Sequence, residues 1–150
     1  MGIKIISHNR KAGFEYTLME KFEAGLELKG TEIKSLRQGA CQLKDSYISF
    51  KRDEAYLQNA HISPYKSSSL ESNHEPERLR KLLLHRHELH KIKGALQKKG
   101  LTCIPTKVYL KDGLAKIEIA LAKGKKKWDK REASKKKTVQ KEIRKSLKRR

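Results

Sequence analysis

Apolar and polar residues alternate with a period of two over much of this chain, the mark of strands with one face buried. In the N-terminal part Phe14, Tyr16, Leu18 and Phe22 share one face, against Glu15, Thr17 and Lys21 on the other. After Glu23-Ala24-Gly25 the pattern resumes briefly through Leu26 and Leu28. Strands are also expected at residues 47–51 and 55–59, joined by the polar corner Arg52-Asp53, and an extended run at 81–84. The clearest local signal is a hairpin. Residues 107–111 and 114–122 flank Asp112-Gly113, a pair suited to the positive φ angles of a two-residue turn. In its second strand Ile117, Ile119 and Leu121 face in, while Lys116 and Glu118 face out.

The period changes to that of a helix in two places. Thr31 reads as the N-cap of a short helix over 32–38, closed by Gly39, with Ile33 and Leu36 inward and Lys34 and Arg37 on another face. A second helix, 86–99, is stopped by Gly100; Leu89, Ile92 and Leu96 line one face, and Lys91 and Lys98 point away. Glu88 stands three residues after His85, the spacing of a capping box. Residues 66–77 read as a polar, mobile loop. Short antiparallel strands with two to three helices predict an α+β fold, mainly β, arranged as a small antiparallel barrel in which closure removes exposed strand edges.

Charge adds a second part to the picture. The 150 residues carry 37 Lys and Arg against 17 Asp and Glu, a net charge of +20. Residues 123–150 hold 15 basic and 3 acidic side chains, against 22 and 14 in residues 1–122. The alternation stops at the same point. A globular part, 1–122, and a basic C-terminal tail, 123–150, are therefore expected, the tail disordered when free because it has too little apolar surface to offset its ordering entropy. Val139, Ile143 and Leu147 nevertheless recur every fourth residue, so phosphates that neutralise the tail would allow a helix.

So large a positive field concerns partners rather than fold, and the candidates are nucleic acid and an anionic membrane. No apolar run approaches a spanning helix. The opening Met1-Gly2-Ile3-Lys4-Ile5-Ile6 has Ile6 where a myristoylation signal needs Ser or Thr, and no secretory signal is expected. Cys41 and Cys103 lack CxxC spacing and read as reduced thiols of a cytosolic protein. His85, His87 and His90 do not match HExxH, so a solvated or phosphate-facing histidine group is the better account and no metal is assigned. No Gly-rich phosphate loop, nucleophile elbow or two-metal acidic pair supports an enzyme, and no cofactor is called for. The tail alone is open to a bland reading as a solubilising extension. Against it stands Trp128, the only tryptophan, inside the basic run, where an indole could stack on nucleobases. With no motif that would place a helix in a DNA major groove, recognition of RNA shape is the favoured class.

Six segments in order carry a resemblance: Asn9-Arg10-Lys11-Ala12, Phe22-Glu23-Ala24-Gly25, Gly30 to Arg37, Asp45-Ser46-Tyr47, Arg80 to Leu84, and Gly124-Lys125-Lys126 through Asp129-Lys130-Arg131. Together they resemble the bacterial SsrA-binding protein family, SmpB. The resemblance implies an OB-like antiparallel barrel that binds the tRNA-like domain of transfer-messenger RNA as a monomer in the cytoplasm. It implies delivery of that RNA, with elongation factor Tu carrying the aminoacylated end, to stalled ribosomes for trans-translation, with no membrane partner and no bond chemistry by the protein itself. Asn9, Glu23 and Leu83 match positions that grip the RNA, with Arg10, Lys11, Lys34, Arg80 and Lys81 as neighbouring cations. Lys125, Lys126, Trp128, Asp129, Lys130 and Arg131 match the stretch placed in the ribosomal decoding region. The alternative is a generic RNA-binding or ribosome-associated barrel; a metal-dependent nuclease is a third and weaker reading.

Overall fold

A computed structural model describes residues 2–98 and 100–125. Its elements in chain order are β1 (Ile3–His8), α1 (Ala12–Glu15), β2 (Tyr16–Leu26), α2 (Gly30–Arg37), β3 (Cys41–Gln42), β4 (Tyr47–Lys51), β5 (Glu54–Gln58), β6 (His61–Ile62), β7 (Arg80–Leu83), α3 (Arg86–Leu96), β8 (Leu101–Lys111) and β9 (Leu114–Gly124). Seven strands form one antiparallel sheet in the order β1-β8-β9-β2-β7-β5-β4, and β3 pairs with β6 in a small second sheet. The fold is thus mainly β with three helices. The expected closure is not seen: among the described residues no ladder joins the edge strands β1 and β4, although β4 packs against β8.

The main core lies on one face of the long sheet. Phe22, Ala24 and Leu26 of β2, Ile117, Ile119 and Leu121 of β9, Val108 of β8 and Leu82 of β7 meet Leu36 of α2 and Ile92 of α3 there. The β8–β9 hairpin forms as its sequence predicts, Asp112 and Gly113 taking φ of 51° and 81°. Its strands run longer than expected, because Leu101 to Pro105 also pair, and β9 continues past Ala122 to Gly124. Helix α3 is capped by the Glu88 carboxylate accepting from the His85 N–H at 3.2 Å. In α2 the cap moves back to Lys29, whose N–H donates to Glu32 at 2.8 Å. Thr31 instead pairs its hydroxyl with His74 Nδ1 at 2.9 Å.

One expectation about β2 is corrected. Phe14 belongs to α1, and Tyr16 and Leu18 do not share a face with Phe22. Between Leu18 and Lys21 the register against β9 slips by one residue, from Leu18↔Ala122 to Lys21↔Ala120. One extra residue turns every later side chain to the opposite face. Tyr16 and Leu18 therefore pack on a separate small cluster with Ala12, Ile104 and Ala122, while Phe22 enters the main core. Strand β8 carries a matching irregularity between Pro105 and Lys107, leaving Thr106 as the extra residue. Residues 66–77 are tied down rather than free: buried His74 bonds the Ile62 carbonyl at 2.8 Å, and the Asn73 side chain bonds the Tyr65 backbone on both sides at 2.9 Å.

Candidate nucleic-acid interface

Alternation fixes what the outer face of the sheet displays. With Ala24 and Leu26 inward, Glu23 and Gly25 point out; with Leu82 inward, Lys81 and Leu83 point out. Gly25 is the register partner of Leu83, so Glu23 and Leu83 occupy neighbouring strands on the same face. A side chain on Gly25 would put its Cβ 3.3 Å from Leu83 Cβ and 3.5 Å from Cδ1. The bare backbone there lets Leu83 lie down over the sheet, still 53 % exposed. On the other side of Glu23 runs β9, whose Glu118 stands directly opposite it in register.

Two carboxylates facing each other repel unless other groups hold them. Each has its own partner. The Tyr109 hydroxyl donates to Glu23 Oε2, and Lys111 Nζ lies 3.5 Å from Oε1. The Thr106 hydroxyl donates to Glu118 Oε2 at 2.5 Å. The hydrogen bond from Tyr109, with Lys111 and Lys116 nearby, outweighs partial desolvation and holds the Glu23 carboxyl below its ordinary value. Burial and the Glu23 charge push the Tyr109 phenol up, so it stays a donor. Lys107 sits 5.6 Å from the Tyr109 ring centroid. The result is a cationic strand face with an ionised, oriented carboxylate at its centre.

Asn9 lies outside this face but is linked to it. Its N–H bonds the Thr106 carbonyl at 2.8 Å and its Nδ2 donates to the Pro105 carbonyl at 2.9 Å. Thr106 thus joins Asn9 to Glu118, the residue facing Glu23. Asn9 and Lys11 also line a cleft of about 250 Å³ with Ala12, Tyr16, Tyr47 and Ile104. Arg10 is exposed in the same turn. Lys34 is exposed on α2, its Nζ 5.5 Å from the Tyr65 ring centroid. Lys81 shares the outer face and lies 3.8 Å from Glu54.

Arg80 is a correction. The sequence groups it with the RNA-facing cations, but it points inward and is fully buried. Its Nε donates to Glu32 Oε2 at 2.5 Å, Nη1 to the Ala60 carbonyl at 2.7 Å and Nη2 to the Pro76 carbonyl at 2.9 Å. A guanidinium so enclosed has a structural role and no access to a ligand. Lys125 is built onto the body: its N–H bonds the Glu15 carbonyl and its Nζ the Gly13 carbonyl, both at 2.9 Å. Lys126, Trp128, Asp129, Lys130 and Arg131, and the 139–147 stripe, lie outside the described residues.

Sequence reasoning missed Tyr109, Lys107, Lys111 and Thr106 as parts of the face. The alternation of Lys107, Tyr109 and Lys111 within the hairpin was a usable signal. That Glu23 is their neighbour was not, because the β2–β9 pairing joins distant segments. At the start of α3 the His85 and His87 rings stack, their centroids 5.6 Å apart. Among the described residues no group of three or more His, Cys, Asp or Glu side chains is arranged to hold a metal.

A cationic antiparallel strand face with an oriented acceptor and an exposed apolar ledge, on a mainly β fold with three helices, defines a nucleic-acid-binding class of protein. The family model described as SmpB protein matches residues 6–149. An SsrA-binding protein of Bdellovibrio bacteriovorus is 61 % identical over 147 residues, covering 98 % of this chain and 96 % of that one. Another, from a Sulfurihydrogenibium species, is 51 % identical over 148 residues, covering 99 % and 97 %. A solved structure described as "tmRNA-SmpB: a journey to the center of the bacterial ribosome" superposes with a TM-score of 0.69 at 44 % identity, covering 85 % of this chain and 93 % of that one. The chain belongs to the SmpB family of RNA-binding proteins.

Proposed function

We propose that this protein binds the tRNA-like domain of transfer-messenger RNA and brings it to stalled bacterial ribosomes for trans-translation. The observation that carries the reading is the meeting of Glu23 and Leu83 around Gly25 on a face flanked by Lys81, Lys111 and Lys116. The names of the relatives, SsrA-binding protein, and the ribosome complex of the solved neighbour agree with it. Lysines on such a face hold phosphates and give affinity without sequence. Glu23 and Leu83 give selectivity, and Asn9, Arg10 and Lys11 extend the grip from the adjoining turn. The packing of β4 on β8 supports an OB-like description of the sheet. Residues 126–150 form the second functional unit, with Trp128, Asp129, Lys130 and Arg131 serving the decoding region of the ribosome. The protein works in the cytoplasm as a carrier rather than an enzyme; elongation factor Tu joins through the aminoacylated RNA.

The test compares wild type, Glu23→Ala and a chain ending at Lys125 for binding to transfer-messenger RNA and to total tRNA at near-physiological salt. Wild type prefers the former, Glu23→Ala loses the preference, and the shortened chain keeps it but fails in tagging on stalled ribosomes. Equal binding of both RNAs by all three chains would leave charge as the whole explanation and overturn the reading.

A further inference from the structure

We infer that the cleft between the β4–β5 hairpin and α3 holds a phosphate of the bound RNA strand, with Arg52 and Arg86 as its donors. The inference rests on the RNA-binding reading above and adds a separate contact to it, away from the strand face around Gly25. The cleft has a volume of about 400 Å³. One wall is the turn of the hairpin, from Arg52 to Glu54. The other is a single face of α3, where Arg86, His90 and Lys93 recur at helical spacing. Leu89 lines it too and packs against the main core, which seats the helical wall firmly.

Charge within the cleft is not balanced. Asp53 is taken: the Lys93 ammonium donates to its Oδ1 and holds the carboxyl below its ordinary value, with a smaller contribution from the charge of His90. Glu54 has Lys81 of the outer face 3.8 Å away. Arg52 and Arg86 are exposed and make no hydrogen bond or ion pair among the described residues. Two guanidinium forks therefore line one open space with no acceptor of the protein's own. A phosphate answers both, because its oxygens take several N–H bonds at once and arginine can meet it with two. The place of the cleft selects the backbone of a strand. Arg86 follows Leu83 by three residues, a reach of at most about 11 Å, and Glu54 links the cleft to Lys81. A strand resting on Leu83 and Lys81 meets the cleft with its next phosphates. The turn carries a further sign. Arg52 and Asp53 take φ of 51° and 64°, where asparagine and glycine fit best. Arginine there sets backbone strain against what its guanidinium binds.

The experiment uses the full chain, the tRNA-like domain of transfer-messenger RNA and total tRNA, across a series of salt concentrations. Arg52→Asn and Arg86→Gln each weaken both RNAs by the same factor, about five- to tenfold, and the double variant lowers the salt slope by about one, as loss of one phosphate contact predicts. The preference between the RNAs stays at its wild-type value, unlike in Glu23→Ala. Arg52→Asn loses affinity without losing thermal stability, a separation that a purely structural arginine would not give. Lys98→Gln, just past the other end of α3, removes the same charge and changes affinity far less. If it weakens binding as much, net charge alone is at work and the cleft assignment is wrong. Pyrophosphate added to the free protein tests the other source of a phosphate. If it moves the His90 ring resonances while the arginine variants bind RNA like wild type, the cleft serves a free nucleotide and the RNA assignment is wrong. If the variants bind like wild type and wild type still prefers transfer-messenger RNA, the cleft assignment falls and the functional reading stands. If the preference is absent but the uniform loss is seen, the functional reading falls and the phosphate cleft stands.

Discussion

Glu32 and Arg80 meet inside the protein, Oε2 to Nε at 2.5 Å, with neither side chain exposed. The same guanidinium holds the carbonyls of Ala60 and Pro76, and the same carboxylate accepts from Arg78 at 2.6 Å and from the Lys29 N–H at 2.8 Å. One ion pair thereby fastens α2, β7 and the long connection before β7. Removing one partner strands the other as a buried charge, at a cost of about 3–5 kcal/mol. Arg80→Met and Glu32→Leu should each lower the urea midpoint by a large share of the total stability, and the double variant should recover part of the loss. A double variant as unstable as the sum of the two would refute the coupling. At temperatures where Arg80→Met remains folded, RNA affinity stays near wild type, because Arg80 reaches no ligand.

Acid should expose the same pair. Burial works against the charged form of Glu32, but the hydrogen bonds from Arg78, Lys29 and Arg80 prevail and hold its carboxyl below the ordinary value of 4.5. A group with its folded-state value depressed adds stability that is complete above the unfolded value and is lost as pH falls through the folded one. The unfolding free energy should decline below about pH 4.5. In Glu32→Gln the decline should be shallower, with lower stability at neutral pH. Parallel acid profiles for the two proteins would place the acid sensitivity elsewhere.

Arg80 also illustrates what the sequence could and could not tell. The hairpin, the Tyr47–Lys51 strand and α3 were legible because turn residues and periodicity are local. The pairing of β2 with β9 was not, so the Tyr109–Glu23 contact stayed hidden. In Arg80-Lys81-Leu82-Leu83, charge suggested that both cations face out, whereas strand parity puts Arg80 with Leu82 inside and Lys81 with Leu83 outside. The buried acid that accepts Arg80 lies 48 residues away, beyond the reach of any pattern. The β2 slip was equally unreadable, since Met19-Glu20 breaks no rule of composition and only the register against β9 reveals the extra residue.

The cysteines should behave as core residues. Burial pushes the Cys41 thiol up to about 11 and the Cys103 thiol up to about 12. At pH 8 neither is a thiolate, and thiolate is the reactive form. A thiol-disulfide reagent should label neither in the folded protein and both in urea. Prompt labelling of one thiol under native conditions would show that its segment opens locally.

Arg52 and Asp53 turn the β4–β5 hairpin at φ of 51° and 64°, a conformation that side chains with a Cβ resist. Asparagine accepts it more readily. Arg52→Asn should raise stability by about 0.5–1 kcal/mol, seen as a few degrees in Tm. A fall in Tm would mean that the Arg52 side chain contributes more than its backbone strain costs.

Gly25→Ala tests the ledge. The new methyl would meet Leu83 Cβ at 3.3 Å, so the exposed leucine must tilt away from the sheet. Stability should change by less than about 1 kcal/mol, whereas binding to transfer-messenger RNA should weaken as much as in Leu83→Ala. Unchanged RNA binding would remove Leu83 from the site.

The irregularities in β2 and β8 flank adjacent stretches of β9, Ala120 to Ala122 on one side and Glu118 to Ile119 on the other. Strand β9 is then the inside rail of a curve, and the strands on either side each take one more residue to go around it. Extra residues of this kind bend a strand and increase its twist. Asn9, bonded to Pro105 and Thr106, and Glu23, opposite Glu118, both stand at the Glu118 end of that curve. The bend, rather than either side chain alone, therefore sets the spacing that a partner touching both must match.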